Sequence, residues 1–182
     1  DHAMWLQRVW WCVQAEQGPS GLYVYQNIDE MLALLALESQ RNQCQIIAED
    51  LGVVPDDFRV LMHQYGMLGN ALFYFATDVS DRFLPAQKQR DDAVLMVTNH
   101  DVPPLRTWWQ GLDIEQRLRY GLVDKASAES QRRIRTAQKQ DLIEQLQHHG
   151  VWPDLEVPES CGEALCQAVY RFCAKGVSPW VV

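Results

Sequence analysis

Two short apolar runs in this chain each end in an acidic residue. The first run, residues 44–48, leads directly into Glu49, and the second, residues 93–98, leads within three residues to Asp101. Both runs have the length and apolar character of buried strands. The pattern predicts two strands with a carboxylate at the carboxyl end, which is where parallel α/β barrels hold their catalytic residues.

Helical patterns lie between these runs. Apolar side chains repeat with helical spacing over residues 28–42, and Asn27 stands where it can cap this helix. A second helix is predicted from Pro55 to about Tyr65, closed by Gly66, because proline favours the first turn of a helix and glycine its end.

A third apolar strand is predicted at residues 70–76, whereas the turn-rich stretch 16–27 and the polar stretch 77–92 are predicted as loops. Helix and strand therefore alternate through residue 98. Alternation of this kind indicates a parallel sheet with right-handed crossover connections.

Beyond Asp101 the pattern becomes helical. Four helices are predicted, over residues 104–110, 113–120, 127–148 and 160–174. Residues 177–182 resemble the approach to a further strand outside the chain. Because a closed barrel needs eight strands, the predicted fold class is α/β, part of a (β/α)8 TIM barrel (its later strands and helices) with a helical C-terminal region. Residues 1–110 form the catalytic barrel portion in this prediction, and 111–182 the helical remainder of the same domain.

The net charge and the cysteine content limit the kinds of partner and the location that the sequence favours. A formal charge of -8 argues against nucleic acid, which needs a basic face. No apolar run approaches the roughly 18 residues of a membrane span, so a membrane is not an expected partner either. The five cysteines form no CxxC pair, which indicates neither a zinc knuckle nor a disulfide framework and favours a cytoplasmic location. Since the chain opens on Asp rather than Met, we expect further sequence upstream.

Three acids, Asp1, Glu49 and Asp101, make up the set that a retaining glycosidase requires. One carboxylate attacks the anomeric carbon while a second protonates the departing oxygen, and the two groups stand about 5–5.5 Å apart. A third acid that binds sugar hydroxyls favours the oxocarbenium-like transition state. We expect no cofactor and no metal, because carboxylates and substrate distortion carry this chemistry.

Three segments are similar in sequence to one known family. They are Ile47-Ala48-Glu49-Asp50-Leu51-Gly52-Val53-Val54-Pro55, Leu72-Phe73-Tyr74-Phe75 and Thr98-Asn99-His100-Asp101-Val102-Pro103. These segments resemble the 4-alpha-glucanotransferases called amylomaltases or disproportionating enzymes, of the alpha-amylase clan. The resemblance is strong from the N-terminus to about Trp109 and loose beyond it.

The resemblance implies a role for each acid. Asp1 matches the nucleophile of the family's Arg-x-Asp-His motif, and Glu49 matches the general acid/base. Asp101 matches the transition-state stabiliser, and His100 matches the histidine that hydrogen-bonds the sugar beside the cleaved bond. The motif's arginine falls outside the chain, and Asn99 stands where many members have threonine.

Other residues are candidates for contact or support. Tyr23 and Tyr25, in the predicted loop after the nucleophile segment, are candidate glucan contacts. Asp50 is expected to hydrogen-bond loop backbone rather than to act in catalysis. The tryptophan pairs at 10–11 and 108–109 are expected in the core, and the histidines at 148–149 at a helix end.

The resemblance implies transfer of α-1,4-glucan segments between maltooligosaccharides by a retaining double displacement. Two alternatives stay open: an α-glucan hydrolase of the same clan, and an inactive glucan-binding fragment. Maltotriose distinguishes them, because transfer makes a ladder of longer oligomers, hydrolysis makes only glucose and maltose, and binding alone makes no product.

Overall fold

The computed structural model describes residues 2–15 and 18–182 of the chain. The fold is α/β and divides into two compact units. The first unit comprises Asp1–Asn70 and Asp92–Val94, and the second comprises Ala71–Asp91 and Leu95–Val182. Within the described residues, no helix is both long enough and apolar enough to cross a membrane.

The first unit opens with a 3-10 turn, Ala3–Leu6, that leads into a β-hairpin. Its strands are β1 (Arg8–Ala15) and β2 (Gly18–Tyr25), paired antiparallel along their whole length. The loop predicted for residues 16–27 is therefore wrong over 18–25, and residues 16 and 17 lie outside the described part. β2 pairs with β1 residue by residue, so the turn-forming residues in this segment do not keep it from forming a strand.

Two helices complete the first unit, the first as the apolar spacing predicted and the second as the proline and glycine positions predicted. Helix α1 is Ile28–Asn42 and helix α2 is Asp56–Gln64. Asn27 takes the N-cap position of α1 without a side-chain capping bond. Gly66 follows α2 at a φ of 75°, in the left-handed region that glycine adopts without strain. The apolar faces of both helices join one core, formed by Ala3, Met4, Leu6, Leu32, Val54, Phe58, Met62 and Met67.

Three short strands form the second sheet, in the order β3 (Gly69–Leu72), β4 (Ala93–Met96) and β5 (Trp180–Val181). The predicted strand over 70–76 is thus half right, because a 3-10 turn replaces it at Phe73–Phe75. Residues 177–182 were expected only to lead towards a further strand, but Trp180–Val181 already form one beside β4. The N–H of Val182 donates to the carbonyl of Leu95 at 2.9 Å, and the carbonyl of Val182 accepts the N–H of Val97 at 3.1 Å, the pattern of parallel pairing.

The four predicted helices of the second unit are confirmed. They are α3 (Leu105–Gln110), α4 (Leu112–Arg119), α5 (Lys125–His148) and α6 (Glu163–Cys173). Gly111 separates α3 from α4 at a φ of 73°, and the Asp124 side chain caps α5 by accepting the N–H of Ser127. The unit's core contains Phe73, Phe83, Leu95, Trp108, Trp109, Leu142, Ile143, Leu146, Leu165, Val169 and Phe172.

Arg135 joins three helices of the second unit. Its guanidinium donates to both carboxylate oxygens of Asp113, at 3.0 and 2.9 Å, and lies 4.4 Å from the ring centroid of Trp108. A two-pronged bond combined with ring stacking is geometry that arginine makes and lysine does not. The contact fixes α3 and α4 against the long helix α5.

Candidate active site

Parallel pairing in the first unit brings Glu49 next to residue 2. The N–H of Ala3 donates to the carbonyl of Glu49 at 2.6 Å, and His2 forms a parallel bridge with Glu49. On the other side, Ile47 bridges Leu68, also in parallel. The segment before Glu49 therefore has a parallel neighbour on each side, but only through isolated bridges at Ile47 and Glu49. The continuous strand predicted over residues 44–48 is wrong, because these two single bridges do not extend into a ladder.

The loop that follows Glu49 holds its carboxylate. Oε1 accepts the N–H of Leu51 at 2.7 Å, whereas Oε2 lies 3.9 Å from Nε2 of His2, beyond hydrogen-bonding distance. The side chain of Glu49 is 35% exposed. One oxygen is thus fixed by backbone, and the other is placed where it can meet a ligand.

The imidazole of His2 uses both of its nitrogens. Nδ1 accepts the N–H of Met4 at 3.2 Å, so the ring proton of the neutral form sits on Nε2. Nε2 lies 2.8 Å from the carbonyl oxygen of Leu51, to which it donates. Leu51 is consequently bonded on both sides, through its N–H to Glu49 and through its carbonyl to His2.

The side chain of Asp50 is buried, whereas that of its neighbour Glu49 is partly exposed. It is fully buried; its Oδ1 accepts the N–H of Asn70 at 2.7 Å, and its Oδ2 accepts Nε of Arg59 at 3.1 Å. Arg59 also donates to the backbone carbonyls of Asp50 and Val54. The prediction that Asp50 is structural is confirmed, and its network anchors the loop that carries Glu49.

In the second unit, Asp101 lies in a short turn just after β4. Oδ1 of Asn99 accepts the N–H of Asp101 at 2.9 Å, and the hydroxyl of Thr98 donates to the carbonyl of Pro103 at 3.2 Å. His100 and Asp101 are both well exposed, with Nε2 of the histidine 3.4 Å from Oδ2 of the acid. The turn therefore presents both side chains to solvent, where a ligand can reach them.

The two tyrosines proposed as glucan contacts lie on strand β2 rather than on a loop. Both rings are at least half exposed, Tyr25 more than Tyr23. The guanidinium of Arg8 sits 4.6 Å from the ring centroid of Tyr23, and the ring of Trp10 meets the same ring edge-on at 4.8 Å. The core placement expected for Trp10 and Trp11 is wrong, because both are more than half exposed, whereas that of the pair at 108–109 is confirmed.

Asp1, the predicted nucleophile, lies outside the described residues. Within residues 2–15 and 18–182, no cluster of three or more histidine, cysteine, aspartate or glutamate side chains has the geometry to hold a metal ion. His149 closes α5, where its Nδ1 lies 2.9 Å from the carbonyl of Gln145. This contact supports the structural interpretation of that histidine.

Sequence reasoning missed the supporting roles of two side chains, His2 and Asn99. Both lie within two residues of a predicted catalytic acid, yet their hydrogen bonds depend on how the chain turns. The short polar side chain of Asn99 two residues before Asp101 is a known turn signal. No comparable signal joins His2 to Leu51, because the two are 49 residues apart.

Comparison with known protein sequences identifies one family throughout. The model of the family described as 4-alpha-glucanotransferase matches residues 1–182. The chain is 32% identical over 172 residues to a 4-alpha-glucanotransferase of Haemophilus influenzae, which covers 94% of this chain and 24% of that protein. It is 30% identical over 182 residues to a 4-alpha-glucanotransferase of Mycobacterium tuberculosis, in an alignment that covers 96% of this chain and 24% of that protein.

Comparison with solved structures shows the same fold. Amylomaltase from Corynebacterium glutamicum matches 99% of this chain with a TM-score of 0.80 at 22% identity, over 26% of its own length. The chain thus spans about a quarter of the length of the relatives it matches.

Proposed function

The chain belongs to the family of 4-alpha-glucanotransferases, and we propose that it supplies the acids of a retaining glucan-transfer site. The proposed reaction breaks an α-1,4 glucosidic bond and holds the donor portion covalently. It then passes that portion to the 4-hydroxyl of another glucan or of glucose. In this proposal the chain is part of a (β/α)8 barrel in a cytoplasmic enzyme, with residues 1–110 as the catalytic portion and 111–182 as the helical remainder of the domain.

The observation that best supports this proposal is the parallel pairing of His2 with Glu49. Neighbouring strands lie about 4.7–4.9 Å apart, and the two carboxyl groups of a retaining site stand about 5–5.5 Å apart. The proposed nucleophile directly precedes His2 in sequence, so the pairing of His2 with Glu49 is compatible with the short separation that retention needs.

We assign the nucleophile to Asp1 and the proton transfers to Glu49. Since Oε1 of Glu49 accepts the N–H of Leu51, Oε2 is the oxygen left to face the glycosidic bond. Glu49 gives its proton to the departing oxygen as Asp1 attacks the anomeric carbon. It then takes a proton from the incoming hydroxyl as the covalent intermediate breaks down.

Asp101 and His100 are the proposed sugar-hydroxyl ligands, and Tyr23 and Tyr25 the proposed aromatic contacts. Their exposure supports this assignment, because each offers a polar group or a ring face to solvent. The turn made by Asn99 supports Asp101 in a defined orientation. The proposed partners, neutral α-1,4-glucans and maltooligosaccharides, suit a chain of net charge -8 better than nucleic acid does.

The test uses a full-length enzyme that contains residues 1–182, with maltotriose as both donor and acceptor. Transfer predicts glucose together with a ladder of oligomers longer than maltotriose. Glucose and maltose alone would identify a hydrolase instead, and tight maltotriose binding without products would identify a glucan-binding protein.

A trapping experiment tests the proposed roles. Maltosyl fluoride carries a leaving group that needs little protonation, so it can load the nucleophile in a Glu49→Gln variant whose next step is slow. Peptide mass mapping is expected to find the added sugar on the peptide that contains Asp1. An adduct on the peptide that contains Asp101 would reverse the assignment of these two acids.

A further inference from the structure

We infer that His2 is a positioning residue, one that orients the acid/base Glu49 through the backbone of Leu51. This inference rests on the proposed function and adds a residue to its machinery. The two peptide groups of Leu51 are hydrogen-bonded to the side chains of His2 and Glu49. The N–H of Leu51 donates to Oε1 of Glu49 at 2.7 Å, and its carbonyl accepts from Nε2 of His2 at 2.8 Å.

The ring of His2 is itself fixed before it reaches Leu51. Its Nδ1 accepts the N–H of Met4, which caps the 3-10 turn and leaves the proton of the neutral ring on Nε2. The backbone of residue 2 is further held by its parallel bridge to Glu49. His2 therefore offers one donor in one direction, and that direction is toward the Leu51 carbonyl.

His2 acts on Glu49 indirectly. Nε2 is 3.9 Å from Oε2 of the carboxylate, too far for a hydrogen bond, whereas its distance to the Leu51 carbonyl is well within bonding range. The contact therefore does not tie up the oxygen that we assign to proton transfer.

The loop needs this support because its other end turns through Gly52, at a φ of 81° with open space where a Cβ would stand. Glycine permits that turn but adds no side-chain contact. Without the bond from His2, the Leu51 peptide loses its carbonyl partner. The N–H that holds Oε1 of Glu49 then loses its fixed direction.

The test compares two substitutions in a full-length enzyme that contains this chain. His2→Asn keeps an oxygen at the position of Nδ1, so it still caps Met4, but its amide is too short to reach Leu51. His2→Gln places an amide NH2 near the position of Nε2, so it can still donate to the Leu51 carbonyl. Both variants replace the ring with an uncharged amide and differ chiefly in which of the two bonds they keep.

With maltotriose, we expect His2→Asn to lower kcat/KM about 100-fold, mostly in kcat, because misplacing a catalytic group by about 1 Å costs on that order. We expect His2→Gln to stay within about tenfold of the unsubstituted enzyme, since one net hydrogen bond accounts for about that factor. Equal rates for the two variants would overturn the inference.

A second pair of substrates distinguishes a positioning role of His2 from a general loss of structure in the variant. Maltosyl fluoride as donor needs little acid catalysis, and azide as acceptor needs no general base, so this pair bypasses both tasks of Glu49. We expect His2→Asn to recover most of its lost activity with the pair, as Glu49→Gln does. An equal loss with both substrate pairs would overturn the inference while leaving the proposed function intact. Failure of the unsubstituted enzyme to disproportionate maltotriose would overturn both.

Discussion

Arg59 donates from Nε to the carboxylate of Asp50 at 3.1 Å, and this carboxylate is fully buried, whereas the arginine is partly exposed. The same acid accepts the N–H of Asn70. A buried charge with a charged partner and a backbone donor is costly to break, because removing one side leaves the other desolvated.

We therefore expect Asp50→Ala to lower the free energy of unfolding by about 3–5 kcal/mol, the range for a broken buried pair. Asp56 is the matched control, since it faces the same arginine at 3.7 Å from a fully exposed position. Asp56→Ala should cost less than about 1 kcal/mol, as exposed pairs do. Chemical denaturation measures both values, and similar losses in the two variants would contradict the anchoring role of Asp50.

The hydroxyl of Tyr74 is buried, and no hydrogen-bond partner for it lies among the described residues. Its ring stacks on Trp108 at 5.3 Å. We expect Tyr74→Phe to raise the free energy of unfolding by about 1 kcal/mol, the lower end of the cost of an unpaired buried polar group. Tyr74→Leu, which also removes the stacked ring, should instead lower it. A loss of stability in Tyr74→Phe would show that the hydroxyl does bind a partner.

Burial raises the pKa of Tyr74 well above the ordinary value of 10.0, chiefly because the phenolate would be desolvated. The unfolded chain therefore ionises this group first. Stability from the protonated phenol is complete below pH 10 and is lost as the pH rises above it. The melting temperature of Tyr74→Phe should fall less steeply above pH 10 than that of the unsubstituted protein, and parallel curves would contradict this expectation.

Two of the cysteines are predicted to resist alkylation. Burial raises the pKa of Cys161 and of Cys173 to about 12, so at pH 8 neither forms appreciable thiolate. Cys12 and Cys44 are exposed. Iodoacetamide at pH 8 should label the exposed pair first and the buried pair only after unfolding, as followed by peptide mass mapping. Early labelling of Cys173 would mean that the α6 core opens readily.

The exposed face of β2 offers a test of glucan contact. Tyr25 is 65% exposed, and Leu22, at 55%, points to the opposite face of the same strand. If Tyr25 stacks on a sugar ring, Tyr25→Ala should raise KM for long maltooligosaccharides by about threefold to tenfold, the scale of one aromatic contact. Leu22→Ala serves as the control of similar exposure and should leave KM unchanged. Equal effects would indicate that the hairpin, rather than the ring, matters.

Local signals in the sequence determined the helices. Helix α2 lies between Pro55 and Gly66 as predicted: Pro55 takes the N-cap position just before the first turn, and glycine accepts the left-handed conformation that follows the last one. The four later helices are placed to within a few residues by their apolar spacing. The short apolar runs before Glu49 and Asp101 likewise pointed to the candidate acids, because a sequence motif consists of consecutive residues.

Only the tertiary structure decided which segments pair with partners that are distant in sequence. Gly18–Tyr25 carries turn-forming residues and becomes a strand because it pairs with β1. Trp180–Val181 becomes a strand beside β4, where Val182 bonds with residues some 85 positions earlier. The same holds for His2, whose bond to the Leu51 carbonyl spans 49 residues. A sequence pattern reports the preference of a segment for its own conformation. Hydrogen bonds between distant segments form only once the chain has brought them side by side.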